Sequence, residues 1–296
     1  MCELTIGMPV FNDIEFIEES LNSIMNQSLK DFQLIISDDG STDGSEAICR
    51  KLAANDTRVT YIRQPQNLGI SKNMEFLLAQ AKTEFFMWAA DDDVWDENYA
   101  SHLIALLQKD ETAIAAFCSY DLIDENGKFV ENRSYDYSER TPYRRLVQFI
   151  RKADDGFGYG IFRTKRIERV KFPVWWWPNR KTAYNNIYGS LCYYLANGQY
   201  VHFSEKPLFF KRVKSQDYVN HVIAGEGDAM KETASFIVRK FNLVCFSFNL
   251  ICKGNFFLAI STFPVLFVHW FVKPSFKQIS LAGRSFYFNR ILKRNR

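Results

Sequence analysis

Apolar residues change period repeatedly along the first 120 positions. Leu4 to Val10, Phe32 to Ser37, Val59 to Ile62, Phe85 to Ala89 and Ala113 to Ser119 are short apolar runs of strand length. Between them Ile14, Ile17, Leu21 and Ile24, then Met74, Leu77, Leu78 and Ala81, then Tyr99, Leu103, Leu106 and Leu107 recur at helical spacing. Asp13 stands where the first helix needs an N-cap. Strand and helix in alternation predict a mostly parallel sheet with helices on both faces. In such sheets ligands bind outside the carboxyl ends of the strands, so the residues that follow each strand carry most of the functional information.

Beyond Ser119 the pattern changes. Glu125-Asn126-Gly127 is a turn signal inside Leu122 to Val130 and predicts a hairpin. A helix from Pro142 to Lys152, a glycine-spaced strand from Gly156 to Phe162, an aromatic loop at Trp175-Trp176-Trp177-Pro178 and a helix from about Thr182 to Ala196 follow. A strand pair, Tyr200 to Phe203 and Pro207 to Lys211, completes the globular part. Polar residues and two glycines between Asp217 and Met230 mark a boundary. Residues 1–119 and 120–217 are thus expected to form two halves of one domain, and 218–296 a helical C-terminal region.

Charge separates that last region from the rest. Residues 1–232 carry 27 Lys and Arg against 34 Asp and Glu, whereas residues 233–296 carry 10 basic residues, no acidic one and 12 of the 27 Phe. A segment both basic and apolar suits an anionic membrane surface and not nucleic acid. Its apolar runs, Leu243 to Cys252 and Phe256 to Val272, are broken by Lys253-Gly254-Asn255. The second is 17 residues long with Pro264 and His269 inside, short of the roughly 20 that usually span a bilayer, so an in-plane or re-entrant pair is expected. The alternative is a helical hairpin packed on the domain, or a contact between copies. Six scattered cysteines without C-x-x-C spacing argue against a metal cage or disulfide framework and favour a reducing compartment. Cys2-Glu3-Leu4-Thr5-Ile6 does not look like a secretory leader.

Two acidic clusters follow predicted strands. Ser37-Asp38-Asp39-Gly40-Ser41-Thr42-Asp43-Gly44 offers carboxylates that can accept from a base N–H or a ribose hydroxyl, with glycines that let the backbone approach a ligand; it also reads as a tight turn in which Thr42 or Asp43 caps the next helix. Ala90-Asp91-Asp92-Asp93 places three like charges side by side, which calls for a cation or strong donors. Hard oxygen ligands suit Mg²⁺ or Mn²⁺, while a solvated acidic helix start is the other reading.

Together with Thr5-Ile6-Gly7-Met8-Pro9-Val10-Phe11-Asn12 and Asn67-Leu68-Gly69 with Lys72-Asn73, these clusters resemble the family-2 glycosyltransferases of GT-A fold over roughly residues 1 to 215. The resemblance implies a nucleotide-binding Rossmann-like half, 1–119, and an acceptor-binding half, 120–217. It implies a donor site made by Pro9, Phe11, Asp39, Asn67, Lys72 and Asp91, for a nucleotide sugar, most simply a UDP-sugar. It further implies a Mn²⁺ or Mg²⁺ ion held by the cluster Asp91, Asp92 and Asp93, and inversion at the anomeric carbon by direct displacement. The expected protein is then a metal-dependent hexosyltransferase at the cytoplasmic face of a membrane, peripherally bound and open to homo-oligomerisation. It would act on a glycan or lipid-linked saccharide in bacterial-type surface polysaccharide synthesis.

One departure concerns the base that takes the acceptor's proton. The family commonly has a Glu-Asp pair just before the helix that ends near Ala196, but no carboxylate lies between Glu168 and Glu205 here; Asn185 and Asn186 stand instead and can only hydrogen-bond an acceptor. Asp154 and Asp155 are the remaining candidates, with loop acids ending a helix as the other reading. Trp176 and Trp177 are candidates for stacking on acceptor sugar faces, or for a lid. Without a base, the alternative is a membrane-associated glycan- or nucleotide-sugar-binding protein without catalysis. The chain has neither G-x-G-x-x-G after a strand nor G-x-x-x-x-G-K-[ST], which sets dehydrogenases and P-loop NTPases aside.

Overall fold

A computed structural model describes residues 3–139, 141–152, 154, 156–167, 187–196, 200–214 and 229–275. Its first third follows the predicted alternation. Strands β1 (Leu4–Val10), β2 (Phe32–Asp38), β3 (Val59–Arg63) and β4 (Phe85–Trp88) alternate with helices α1 (Ile17–Met25), α2 (Ser45–Asn55) and α3 (Ile70–Gln80). β1 is buried at every position and lies between β2 and β4, parallel to both. A strand covered on both faces is apolar throughout and does not alternate. Two short elements then lead away from β4, namely β5 (Val94–Trp95) and α4 (Tyr99–Gln108).

The second half adds strands of mixed direction to the same sheet, β6 (Ala113–Ile123), β7 (Phe129–Arg133), β8 (Ile161–Arg163) and β9 (Tyr200–Arg212), and the sheet order is β3-β2-β1-β4-β8-β6-β9-β5 with β7 beside β6. β6 and β7 form the predicted hairpin, turning at Gly127, where φ is +75°. Helix α5 (Pro142–Lys152) lies where its periodicity put it. β6 runs through residues 119 and 120, so the two expected halves share one sheet. The boundary near 217 lies outside the described residues.

Two expectations are corrected here. The glycine-spaced strand begins only at β8 (Ile161–Arg163), after a 3₁₀ turn at Gly156–Tyr159. Its glycines serve close approach: a Cβ on Gly156 would stand 2.2 Å from the Tyr120 ring, and one on Gly160 would stand 2.7 Å from the Ala116 carbonyl. The expected strand pair at 200–211 is one strand, β9 (Tyr200–Arg212), parallel to β6, with a register shift between Cys118 and Tyr120 that absorbs the polar stretch after Ser204.

After the short α6 (Thr164–Ile167) and α7 (Ile187–Ala196), the C-terminal region supplies α8 (Ala229–Gly254) and α9 (Phe256–Phe267); α9 continues through a π turn at Val268–Val272 to Ser275. The break falls at the predicted place, because Asn255 caps α9 by accepting the Leu258 N–H at 2.9 Å. These helices are not a separate body. Leu243, Val244, Ile251, Leu258, Ala259, Leu266 and Trp270 join Leu146, Phe149 and Ile150 of α5 and Leu191 and Leu195 of α7 in one core on one face of the sheet. The opposite face is closed by α1 and α4.

Candidate active site

The carboxyl ends of β1, β2 and β4 lie side by side, and the loops that leave them are tied into one wall. Asn12, at φ +53°, turns the chain after β1 in a conformation that Asn tolerates better than most residues. Its side chain accepts the Thr42 N–H at 2.8 Å, its own N–H donates to Ser41 Oγ, and Asp13 and Ile14 donate N–H groups to Ser45 Oγ and Asp43 Oδ2. The loop after β2 thus clamps the loop after β1.

The first acidic cluster is largely consumed by this wall. Asp38, fully buried, accepts from the Gly40 and Ser41 N–H groups, the Tyr61 hydroxyl at 2.6 Å and Arg63 at 3.0 Å. Burial pushes its carboxyl up, but Tyr61, Ser41 and Arg63 more than reverse this and hold it below the usual carboxylate range. Asp43 is lowered in the same way, burial being outweighed by Ser45 and the Ile14 N–H. Asp39 is intermediate. It accepts the Leu68 N–H at 2.6 Å and the Gly69 N–H at 2.9 Å, yet burial still raises its carboxyl. Asn67, which donates to the Asp39 carbonyl at 3.1 Å, completes this link between the loop after β2 and the start of α3.

The second cluster is built differently. Asp13, Asp91 and Asp92 each present a carboxylate oxygen, and these atoms lie within 4.8 Å of one another. Phe11, half-exposed beside them, donates its N–H to Asp91 Oδ2 at 3.1 Å. Lys214, just past the end of β9, reaches in from the other side, with Nζ 2.9 Å from Asp13 and 3.3 Å from Asp92. The positive charges at hand do not balance the negative ones. Burial, then Asp92 and Asp13, push the Asp91 carboxyl up to about 8, and burial also raises Asp13 despite Lys214. Three crowded hard-oxygen ligands in a site short of positive charge match the donor set and electrostatics of a Mg²⁺ or Mn²⁺ site.

The structure therefore rearranges the expected metal set. Asp93 is not one of the three converging residues: it is buried, and its Oδ1 accepts the Arg212 N–H of β9 at 2.8 Å. Arg212 in turn donates to the Asp92 carbonyl and to Glu19, and its guanidinium lies over the Phe16 ring. Asp93 thus fastens the cluster's loop to β9, while the partly exposed Asp92 faces Asp13 and Lys214. In its place stands Asp13, expected as a helix cap. α1 begins only at Ile17, and it is the backbone carbonyl of Asp13 that receives the Phe16 and Ile17 N–H groups, leaving the carboxylate for the cluster. Its position directly after β1 was the available signal. Lys214 had none beyond its place after a strand.

Among the other expected residues, Pro9 is buried at the end of β1. Lys72 is exposed on α3 and paired with Glu75 at 2.7 Å. The neighbouring Asn73 is buried and bonded to Ser37. Asp154 accepts the Tyr120 hydroxyl on both oxygens, at 2.8 and 2.7 Å, and the Gly156 N–H at 2.9 Å, so its carboxylate holds the 3₁₀ turn to β6. The register from Phe86 through Phe162 to Ala115 runs β6 in the same direction as β4, so Tyr120, past the middle of β6, and Asp154 lie toward the edge of the sheet that carries the acidic cluster. Asp155, Trp176, Trp177, Asn185 and Asn186 lie outside the described residues.

Known proteins are similar to this chain in sequence and in fold. The chain is 28% identical over 196 residues, 66% of its length, to the GalNAc(5)-diNAcBac-PP-undecaprenol beta-1,3-glucosyltransferase of Campylobacter jejuni, and covers 62% of that protein. It spans less than two thirds of the length of the curated relatives considered first. In fold it is similar to S. aureus TarS 1-349 in complex with UDP (TM-score 0.60, 16% identity, covering 86% of this chain and 66% of that one). It is also similar to the mannosyltransferase PcManGT from Pyrobaculum calidifontis in complex with GDP-Man and Mn²⁺ (TM-score 0.56, 15% identity, covering 98% and 80%). Both have the GT-A-type fold, as the motifs implied. Since the glycosyl transferase family 2 model matches residues 5–171, more than half of the sequence and all of the wall described above, the chain belongs to that family.

Proposed function

We propose that the protein is an inverting, metal-dependent hexosyltransferase that moves a sugar from a nucleotide-sugar donor, most simply a UDP-sugar, to a glycan or lipid-linked saccharide. The observation that carries this reading is the convergence of Asp13, Asp91 and Asp92 at the carboxyl ends of two adjacent parallel strands. The relative from Campylobacter acts on an undecaprenol-linked saccharide, and the two structural neighbours hold UDP and GDP-Man with Mn²⁺. By analogy the acceptor here is lipid-linked and belongs to surface polysaccharide synthesis, with the enzyme peripheral at the cytoplasmic face of the membrane.

Asp13, Asp91 and Asp92 would hold the divalent ion, which when bound neutralises charge on the departing nucleoside diphosphate. The chain's own groups do the rest. Phe11 and the loop that Asp39 fastens through Leu68 and Gly69 border the nucleoside. Lys214, whose ammonium lies between Asp13 and Asp92, would offer a positive charge to the diphosphate oxygens. Direct displacement requires a carboxylate on the acceptor side to take a proton. With Asp154 engaged by Tyr120, Asp155 is the residue proposed for it, and Trp176, Trp177, Asn185 and Asn186 are proposed to contact the acceptor.

The test is donor turnover by the purified full-length chain with a panel of nucleotide sugars and Mn²⁺. Release of UDP or another nucleoside diphosphate, rising when an undecaprenyl diphosphate saccharide is added and lost in Asp155→Asn with nucleotide binding intact, is the expected result. Tight nucleotide and Mn²⁺ binding without hydrolysis or transfer would favour a protein that binds the donor and does no chemistry.

A further inference from the structure

α9 has two unlike faces. Along its 20 residues to Ser275, Leu258, Ala259, Thr262, Leu266 and Trp270 are buried, whereas Phe256, Phe257, Ile260, Phe263, Pro264 and Val268 are exposed, Phe257 at 82% and Phe256 at 57%. At 100° per residue the exposed positions fall within an arc of about 140°, opposite the buried ones. A contiguous row of exposed phenylalanines is not the usual surface of a soluble domain and marks an interaction site.

We infer that this outward face of α9 lies in the plane of an anionic bilayer, half-embedded, while the inward face stays docked on the catalytic domain. The inference rests on the peripheral membrane reading above and specifies how the attachment is made.

Length does not decide between spanning and lying flat, since 20 helical residues reach about 30 Å, the thickness of a hydrocarbon core. Packing does. Trp270 Nε1–H donates to the Ile150 carbonyl of α5 at 2.8 Å, its ring meets Phe149 edge-on, and Leu258, Ala259 and Leu266 lie in the core shared with α5, α7 and α8. A transmembrane α9 would strip these contacts from the folded domain, whereas an in-plane helix keeps them and gives only its exposed arc to lipid.

Charge selects the occupant. Exposed Lys253 and Lys273 flank the apolar face, and six more basic residues and no acidic one follow Lys273 to the end of the sequence. A second copy would bring the same positive charge against itself. An anionic lipid surface is complementary to it, and basic residues beside a buried apolar face are the combination that holds interfacial helices.

Flotation of the full-length chain with vesicles of neutral phosphatidylcholine, and of phosphatidylcholine with 30% phosphatidylglycerol, tests this. The wild type is expected to float with the anionic vesicles and far less with the neutral ones, and to be released by an alkaline carbonate wash that leaves true spans in place. Phe256→Ser/Phe257→Ser/Ile260→Ser is expected to lower partitioning at least tenfold, with UDP-dependent thermal shift unchanged as proof of folding. Phe257→Ser alone, at the most exposed of these positions, is expected to lower it several-fold and guards against a triple variant that misfolds. A wild type that floats with neither vesicle overturns both the inference and the membrane reading. A wild type that floats while both variants float equally, or that resists carbonate, overturns the in-plane face alone. Dimerisation that the substitutions abolish, without flotation, assigns the face to a second copy and overturns the lipid assignment.

Discussion

The two acidic turns of this protein look alike in one dimension and differ in three. Asp38 ends β2 and Asp39 and Asp43 follow it, whereas Asp91 and Asp92 follow β4, each set at the carboxyl edge of the sheet. The first set meets fixed donors, namely backbone N–H groups, Tyr61 and Arg63, and Asp38 and Asp43 are held more acidic than usual as a result. The second set gathers a third carboxylate from β1, has one ammonium between two of its members, and drives Asp91 up to about 8. Carboxylates saturated from within build a site, and carboxylates left short of positive charge are what a ligand completes.

The largest effect should come from the second set. Asp92→Asn or Asp13→Asn is expected to weaken Mn²⁺-linked nucleotide binding by about 100-fold or more, beyond the usual cost of losing an outer-sphere partner. Because a repelling charge is removed, the metal-free variants should melt no lower than wild type. Calorimetric titration of UDP with and without Mn²⁺ checks this, and unchanged affinity in both variants would remove the metal from the site.

Asp38→Ala should reverse the pattern. It takes the acceptor from the Tyr61 hydroxyl, removes one of Arg63's partners (leaving it Glu46 and the Ser41 carbonyl) and frees two backbone N–H groups, at a cost of about 2–3 kcal/mol in denaturant unfolding, while the surviving folded fraction binds Mn²⁺ normally. If its stability matched wild type and its metal affinity fell, the division between the two turns would be wrong.

How much of this was legible in the sequence follows from what each feature depends on. The parallel half is readable because β1, β2 and β4 are predominantly apolar and almost wholly buried and the helices between them keep a clean period, so local pattern and tertiary burial agree. Ser204-Glu205-Lys206 looks like a turn and splits β9 in two along the sequence, whereas pairing to β6 carries the strand through it with one register shift. Spacing points to Asp13 as the cap of α1, because it does not tell a carboxylate that caps a helix from one that faces across a loop. Asp93 was placed in the metal cluster because adjacency along the chain says nothing about which side of the backbone a side chain takes, which here is set by Arg212, 119 residues away. The tail's composition showed an apolar, basic segment, but that half of α9 is core could be known only from its contact with α5.

Asp39 lies between the two classes and is expected to show an intermediate effect. Asp39→Ala should weaken nucleotide binding about tenfold, or ~1.4 kcal/mol, by loosening Leu68 and Gly69, with the ratio of affinities with and without Mn²⁺ unchanged. A changed ratio would place Asp39 with the metal group. Lys214 sharpens the other side. Its ammonium occupies space between Asp13 and Asp92, so Lys214→Met should raise the affinity for Mn²⁺ alone by about fivefold at low salt, less at high salt, and reduce the gain that UDP brings. Electron paramagnetic resonance of free Mn²⁺ reads this directly, and weaker Mn²⁺ binding in the variant would mean that Lys214 supports the site and does not compete for it.

The smallest effect concerns the proton on Asp91. Its folded pKa, about 8, stands above the value near 4 of an unfolded aspartate, because burial and the charges of Asp92 and Asp13 outweigh the Phe11 N–H. The folded state therefore keeps a proton that the unfolded chain releases. The stability that this contributes is fully present below about pH 4 and is lost as pH rises towards 8, the opposite of the trend for Asp38, whose lowered pKa contributes stability at neutral pH that acid removes. Asp91→Asn is neutral at every pH and keeps an oxygen for the Phe11 N–H. In metal-free buffer its melting temperature should thus gain on the wild type as pH increases from 5 to 8 and hold a constant lead above that. Solvent reaches part of this carboxylate and screens it, so a lead of about 1 kcal/mol, or ~2–4 °C, is expected. Saturating Mn²⁺ should invert the order, since the ion stabilises the wild type by mass action and the variant offers it a poorer ligand. Melting curves that run parallel from pH 5 to 9 would show that Asp91 is ionised throughout, and that the three carboxylates are already balanced without a metal.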